Sequence, residues 1–196
     1  MSIDSQIIGD FTPPSGRHDE YLILAFSPLI SPLRDRWRNN GLSADFLGDY
    51  VITFLPKPSN APNAETRQNE IKHAVAYVVN ELLENAMKYH DNQVDIPISI
   101  HMELNSEQIT VSVRNGISIA QAERYRTFIG DVLRGDPGDL LIQRLEEGAK
   151  CNLPNHSCLG LLTILNDYGA KLSWRFDPDA GHPAIQTVTT RAVLEL

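Results

Sequence analysis

The hydrophobic pattern of this chain predicts both strands and helices. Residues 21–26, "YLILAF", form a short continuous apolar run between polar segments, which is typical of a buried strand. Apolar residues recur at intervals of three and four from Thr66 to Tyr89, which predicts a long amphipathic helix. The segments "DIPISIHMEL" and "QITVSVRN" alternate apolar and polar residues and are joined by the turn "NSEQ". We therefore expect two neighbouring antiparallel strands there.

The remaining elements complete a single fold class. Ser43 is a candidate N-cap for a helix that Pro56 would end. Residues 120–150 are helical in pattern and are interrupted by "RGDPGD", and "CLGLLTILNDYG" predicts a further helix that ends near Gly169. "AKLSWRF" and "TVTTRAVLEL" predict the last two strands. Because strands are grouped rather than alternating with helices, the order predicts an α+β, helix-on-sheet sandwich.

Composition narrows the classes of partner. The chain has 196 residues, of which 42% are hydrophobic, so we expect one domain with one core. A formal charge of −8 argues against unaided binding to nucleic acid or to an anionic membrane. The start has no signal-peptide pattern, and the longest apolar run is about half a membrane span, so a cytoplasmic protein is expected. Cys151 and Cys158 have no zinc-ligand spacing and are expected to be thiols.

The end of the long helix, "NELLENAMKYH", carries candidate chemistry. Glu81, Asn85 and Lys88 fall at i, i+4 and i+7 and so share one stripe of the helix. A carboxylate, a carboxamide oxygen and an ammonium together suit a nucleotide with its metal ion. The alternative is a solvated face whose Glu/Lys pairs each contribute about 0.2–0.5 kcal/mol. Spacing alone leaves both interpretations open.

The letters of this segment resemble a known motif. "NELLENAMKY" resembles the N-box of the GHKL superfamily, which includes the ATP-binding domains of histidine kinases, Hsp90, MutL, gyrase and the anti-sigma-factor serine kinases. The resemblance implies ATP and Mg²⁺ as ligands and a mixed, mostly antiparallel sheet covered by helices on one face. It implies that Glu81 acts as general base or orients the nucleophile, and that Asn85 binds Mg²⁺. Lys88 and Tyr89 match the basic and aromatic pair near the phosphates and the nucleotide rim.

Two neighbours within the motif are expected to be solvated. They are Glu84 and His90.

A second landmark, "VSVRNG", resembles the strand that ends in the adenine-reading residue of the family. Asn115 stands where the family has Asp, and Gly116 follows it. A carboxamide has one acceptor and two donors and can pair with an adenine edge. The alternative is an ordinary turn at the end of a strand.

The third landmark, "HSCLGLLTILNDYGAKLSW", resembles the phosphate-binding box and its helix. The resemblance puts Gly160 and Leu161 at the helix start, where backbone amides can hold phosphate. The alternative is that Gly160 only permits close packing. In the last strand, Thr189 is preferred over Thr190 as the threonine that supports adenine recognition.

The full pattern resembles the SiaB-like group of small GHKL regulators. This resemblance implies a single domain over 1–196, with an N-terminal extension at 1–62 and a helical, lid-like insert at 120–158. It implies an ATP- and Mg²⁺-dependent protein kinase that phosphorylates Ser or Thr of a small STAS-like or SiaC-like partner in a bacterial partner-switching circuit. The alternatives are a GHKL-fold module that regulates a partner by docking and, less favoured, an ATP hydrolase. Trp37 and Phe46 suggest a possible homodimer contact.

Overall fold

The computed structural model describes residues 5–12, 20–27, 33–55, 64–151 and 159–196. These residues form strands and helices in the chain order β1 (Gln6–Ile8), β2 (Glu20–Phe26), α1 (Leu33–Ile52), α2 (Ala64–Tyr89), β3 (Ile98–Leu104), β4 (Gln108–Ser118), α3 (Ile119–Arg134), α4 (Pro137–Cys151), α5 (Leu159–Asn166), β5 (Lys171–Pro178) and β6 (Ile185–Glu195).

The strands form one six-stranded sheet in the order β1-β5-β6-β4-β3-β2. Each neighbouring pair in this sheet is antiparallel. The predicted α+β class is therefore confirmed. The long pairing of β4 with β6 lies at the centre of the sheet, and it brings the second landmark beside the final strand.

One face of the sheet carries the helices. Cross-strand pairing aligns a row of side chains on this face, and α2 and α3 pack over it while α1 packs against α2. Because successive residues of a strand point to opposite faces, the register assigns every strand residue to the helix face or to the other face. The row consists of Trp174, Thr190, Val113, Ile100 and Leu24.

Helix α2 matches its prediction closely. It begins two residues before the predicted Thr66 and ends at the predicted Tyr89. Its apolar positions are buried against the sheet and α1, which contributes about 1.5–3 kcal/mol for each large side chain. The buried residues are Val75, Val78, Val79, Leu82, Leu83, Ala86 and Met87.

Three elements differ from the sequence prediction. Strand β2, predicted to be buried, lies at the edge of the sheet and exposes Tyr21 and Ile23. Helix α1 begins at Leu33, so Ser43 lies inside the helix and is not its N-cap. The later turns of this helix pack into the core, where Ala44, Leu47 and Val51 are buried. Strand β1 was not predicted because three residues carry no period, and its pairing with β5 defines it.

Other boundaries agree with the pattern. The helical insert breaks between α3 and α4 at Gly135 and Asp136, within "RGDPGD". Helix α5 ends before Gly169, which has a φ of 60°, and the Ala170 N–H donates to the Ile164 carbonyl at 3.2 Å. This is the geometry of a glycine-capped helix end. Residues 152–158, which include His156 and Cys158, and the side chains of Trp37 and Cys151 lie outside the described part.

Within the described residues, no helix combines the length and the apolar character that crossing a membrane requires.

Helices α1 and α2 cross at close range at Gly48. A Cβ atom added to Gly48 would lie 2.9 Å from the carbonyl oxygen of Lys72. The Lys72 ammonium also pairs with the Asp49 carboxylate beside this crossing. The α1–α2 contact therefore depends on the missing side chain at Gly48.

We predict that Gly48→Ala lowers the free energy of unfolding by about 1–3 kcal/mol, because the added methyl meets backbone. The matched control is Gly41→Ala in the same helix, where an added Cβ meets nothing within 4 Å. That variant should gain about 0.5–1 kcal/mol from better helix propensity. Urea denaturation measures both, and equal stabilisation by the two substitutions would contradict the close crossing.

Candidate functional site

A small cavity lies between α2, α3, β4 and β6, on the helix face of the sheet. Its volume is about 10 Å³, which is room for about one water molecule. Its walls combine apolar side chains with polar groups from four different elements. The lining residues are Leu82, Asn85, Ala86, Tyr89, Val113, Asn115, Ile117, Tyr125, Val188 and Thr190.

Three sequence-predicted site residues meet at this cavity. Asn85 and Tyr89 reach it from α2, and Asn115 reaches it from β4. Asn115 is 3% exposed, and its amide donates to the carbonyl oxygen of Gly116 at 3.3 Å. This bond uses one of the two amide hydrogens and orients the carboxamide at the cavity wall. The first and second landmarks are therefore parts of one site.

The threonine of this site is Thr190 and not the preferred Thr189. Thr190 lines the cavity and pairs in register with Val113. Thr189 pairs with Arg114 and Arg175 on the opposite face of the sheet. Neighbouring residues of a strand point to opposite faces of the sheet. Choosing between the two threonines therefore requires the register of β6 against β4, which the sequence motif does not contain.

Gly116 permits a close approach of the loop that follows α2. A Cβ added to Gly116 would lie 3.1 Å from Cδ1 of Ile96 and 3.3 Å from Val94. The Gly116 carbonyl also accepts from the Asp91 N–H at 3.0 Å. Gly116 thus holds this loop beside the cavity, and its predicted contact with nucleotide remains a prediction.

Glu81 and Gly160 form a second centre at the start of α5. A Cβ added to Gly160 would lie 1.8 Å from Oε2 of Glu81, so the carboxylate stands directly against the glycine backbone. Burial raises the pKa of Glu81, and the charge of Glu84 raises it further. The first and third landmarks therefore also come together. Because its pKa is raised, the Glu81 carboxylate accepts a proton more readily than a solvated carboxylate does.

Leu161 has a different environment from its neighbour Gly160. Its side chain is 1% exposed and belongs to the hydrophobic core. Only its backbone amide, in the first turn of α5, is suited to the predicted phosphate contact.

Two tyrosines beside Glu81 were not predicted. Tyr77, one turn earlier on α2, stacks on Tyr168 with ring centroids 5.0 Å apart. Burial raises the pKa of both hydroxyls, and the Glu81 charge contributes in the same direction. The spacing of Tyr77 and Glu81 at i and i+4 was the available signal, but the Tyr168 side of the pair depends on tertiary packing.

The other residues of the motif vary in exposure. Lys88 is exposed, and its ammonium lies 5.6 Å from the centroid of the Tyr89 ring. Glu84 is half-buried and accepts from the Asn80 amide at 3.0 Å. His90 is buried, and burial lowers the pKa of its imidazole. The expectation that His90 is solvated was therefore wrong, because the helix end packs into the fold. Glu84 remains partly solvated.

Whether this site could bind a metal ion depends on which side chains could serve as its ligands. The described residues contain no group of three or more His, Cys, Asp or Glu side chains that would hold a metal ion. Mg²⁺ bound with a nucleotide needs only one or two protein ligands, since phosphates and water supply the others. Asn85, whose carboxamide lines the cavity, fits such a site.

Comparison with known proteins gives a likeness in fold. No protein-family model matches the chain, and no curated protein matches it. Among solved structures, a chain of the SiaB-SiaC complex from Pseudomonas aeruginosa is similar, with a TM-score of 0.56 and 18% sequence identity. The match covers 87% of this chain and 89% of the other chain. At this identity, the likeness concerns the fold.

We predict that Gly160→Ala destabilises the protein by about 0.5–1.5 kcal/mol, because the methyl forces the Glu81 side chain out of its present rotamer. In contrast, Gly130→Ala in α3 should stabilise by up to about 1 kcal/mol, since its nearest neighbour would be the Arg134 side chain at 3.5 Å. Adding Glu81→Ala to Gly160→Ala should recover most of the loss. Chemical denaturation measures this cycle, and additive effects of the two changes would refute the contact.

Glu81→Gln should stabilise the protein at neutral pH. The folded-state pKa of Glu81 is raised, so the native state binds its proton more tightly than the unfolded state. Ionisation of Glu81 therefore lowers the free energy of unfolding. This loss grows as pH rises through the ordinary glutamate range and is complete above the folded-state pKa. Melting curves at about pH 4 and pH 7 should show the Gln advantage only at the higher pH. Exposed Glu70→Gln is the control, and a less stable Glu81→Gln at neutral pH would contradict the assignment.

Proposed function

We propose that this protein is an ATP- and Mg²⁺-dependent protein kinase that phosphorylates Ser or Thr of a small STAS-like or SiaC-like partner. One observation carries the proposal: the three sequence landmarks converge around the end of α2. Asn85 and Asn115 share a cavity, and Glu81 stands against Gly160. If these residues formed only a solvated helix face, the second and third landmarks would not be expected to lie against them.

Each side chain has a role that its position suits. The Asn85 oxygen would be a protein ligand of Mg²⁺, while Asn115 and Thr190 would contact the base. Amides at Gly160 and Leu161, with the exposed Lys88, would neutralise phosphate charge.

Phosphoryl transfer requires one proton acceptor. The partner hydroxyl oxygen forms a bond to the γ-phosphorus, the bond from that phosphorus to the ADP oxygen breaks, and Glu81 aligns the hydroxyl and accepts its proton. Burial raises the pKa of Glu81 and so makes it a better acceptor than a solvated carboxylate. Most of the rate enhancement would come from positioning and charge neutralisation.

The proposed partner follows from the fold likeness. The similar chain is part of a complex of SiaB with SiaC, and the match extends over most of both chains. A small SiaC-like protein is therefore the first partner to test.

The second candidate function is a docking module that regulates its partner without phosphorylating it. The observation that favours it is the size of the cavity, about 10 Å³, which is far below the volume that a nucleotide requires.

Mg-ATP should raise the melting temperature of the wild-type protein. At a ligand concentration about a hundredfold above Kd, binding stabilises by about 2.7 kcal/mol, or about 5–11 °C for a domain of this size. Asn85→Ala should abolish the shift by removing the metal ligand. Asn80→Ala is the matched control, because Asn80 lies on the same helix and hydrogen-bonds Glu84. An unshifted wild type at millimolar Mg-ATP would refute nucleotide binding.

Labelled ATP should transfer its γ-phosphoryl group to a hydroxyl of a SiaC-like partner encoded beside this protein. Glu81→Gln should reduce labelling by about 10²–10⁴-fold while retaining the Mg-ATP melting shift. Glu70→Gln should label the partner as the wild type does. Stable binding of the partner with no label from any variant would instead support the docking module.

A further inference from the structure

Tyr125 of α3 lines the cavity and makes an organised set of contacts. The Trp174 indole Nε1 donates to the Tyr125 hydroxyl at 3.0 Å, and this hydroxyl lies 3.4 Å from Oγ1 of Thr190. The Tyr125 ring stacks near Tyr89, with centroids 6.3 Å apart and an interplanar angle of 20°, and meets Phe176 edge-on. A planar ring with a hydrogen-bonding edge therefore already lies between the predicted base-binding residues.

The cavity has no room for a base beside this ring. A volume of about 10 Å³ holds about one water, whereas small-molecule sites measure about 300–1,000 Å³. Nine of the ten lining residues belong to α2, β4 and β6, and Tyr125 alone among the ten comes from α3. Since α2 and the two strands form the central core, outward movement of Tyr125 is the least disruptive way to enlarge the cavity.

Trp174 sets a chemical condition on what replaces Tyr125. Its side chain is 0% exposed, so its indole N–H cannot turn to water when the tyrosine hydroxyl leaves. A buried donor without an acceptor is unfavourable. The ligand must therefore present an acceptor to Nε1 and a flat face to Tyr89. A purine base meets both requirements through a ring nitrogen and its aromatic face.

We propose that Tyr125 and the purine base compete for one position, and that the base takes over both the ring site and the hydrogen bond from Trp174. This inference rests on the proposed function, because it describes how nucleotide enters the same site. Trp174 is then a specificity-determining donor. The apparent affinity equals the intrinsic affinity multiplied by the fraction of molecules in which Tyr125 has left the position.

The test compares the Mg-ATP affinities of Tyr125→Phe and Tyr125→Ala with the wild type by calorimetry. Tyr125→Phe keeps the ring but removes the hydroxyl acceptor, which weakens the competitor and should tighten Mg-ATP binding about tenfold. Tyr125→Ala removes the ring as well and should tighten binding at least as much. Tyr50→Phe, on α1, is the matched control and should bind as the wild type does. Melting curves establish that each variant is folded.

A second readout follows Trp174 directly. The chain has two tryptophans, so a Trp37→Phe background leaves Trp174 as the sole indole emitter. Mg-ATP should change its emission, and Tyr125→Phe without nucleotide should differ from the wild type because the indole acceptor is lost.

The outcomes separate this inference from the function. Binding of Mg-ATP that is tighter in both Tyr125 variants than in the wild type supports it. Equal or weaker binding by the variants, with a wild type that binds Mg-ATP, overturns the competition and leaves the proposed function standing. Folded wild type and variants that all fail to bind would overturn both.

Discussion

The burial of α2 on two sides is the constraint on which the rest of this structure depends. Its apolar positions pack against the sheet and against α1, so the rotation of the helix about its axis is fixed. Once the rotation is fixed, Asn85 must point to the cavity and Glu81 must point to α5. A different rotation would bury charges without partners, which is far more costly than losing a few apolar contacts. The polar residues are thus positioned by the apolar ones between them.

The parts of this fold that were predicted correctly are long segments with a regular hydrophobic period, or breaks marked by turn residues. Helix α2, the strands β3 and β4, and the break between α3 and α4 all follow from spacing or from turn residues. Ser43 misled because an N-cap residue is also tolerated inside a helix whose later turns are packed. The three residues of β1 contain no pattern, and only pairing with a distant strand makes them a strand.

The candidate site was predictable where it is local in sequence. Glu81, Asn85 and Tyr89 lie on one helix, so a single period relates them. Thr190 needed the register of β6 against β4, and a motif resemblance carries no register. Tyr125 and Trp174 belong to elements that meet only in the folded chain, and no spacing relates a tyrosine on α3 to an indole on β5. His90 was misjudged for the same reason, because its burial depends on neighbours from elsewhere.

The contact between Glu81 and the Gly160 backbone has a consequence for how the chain can evolve. Any side chain at position 160 would occupy the space of the carboxylate, so a change there is accommodated only by moving the Glu81 side chain or by a smaller residue at position 81. Relatives that keep the acid should therefore keep the glycine, even where the rest of that helix start has changed. Relatives that lose the acid are released from this restriction. The joint presence of the two residues, far apart in sequence, is thus a signature by which members with the acidic centre can be distinguished from those that only share the fold.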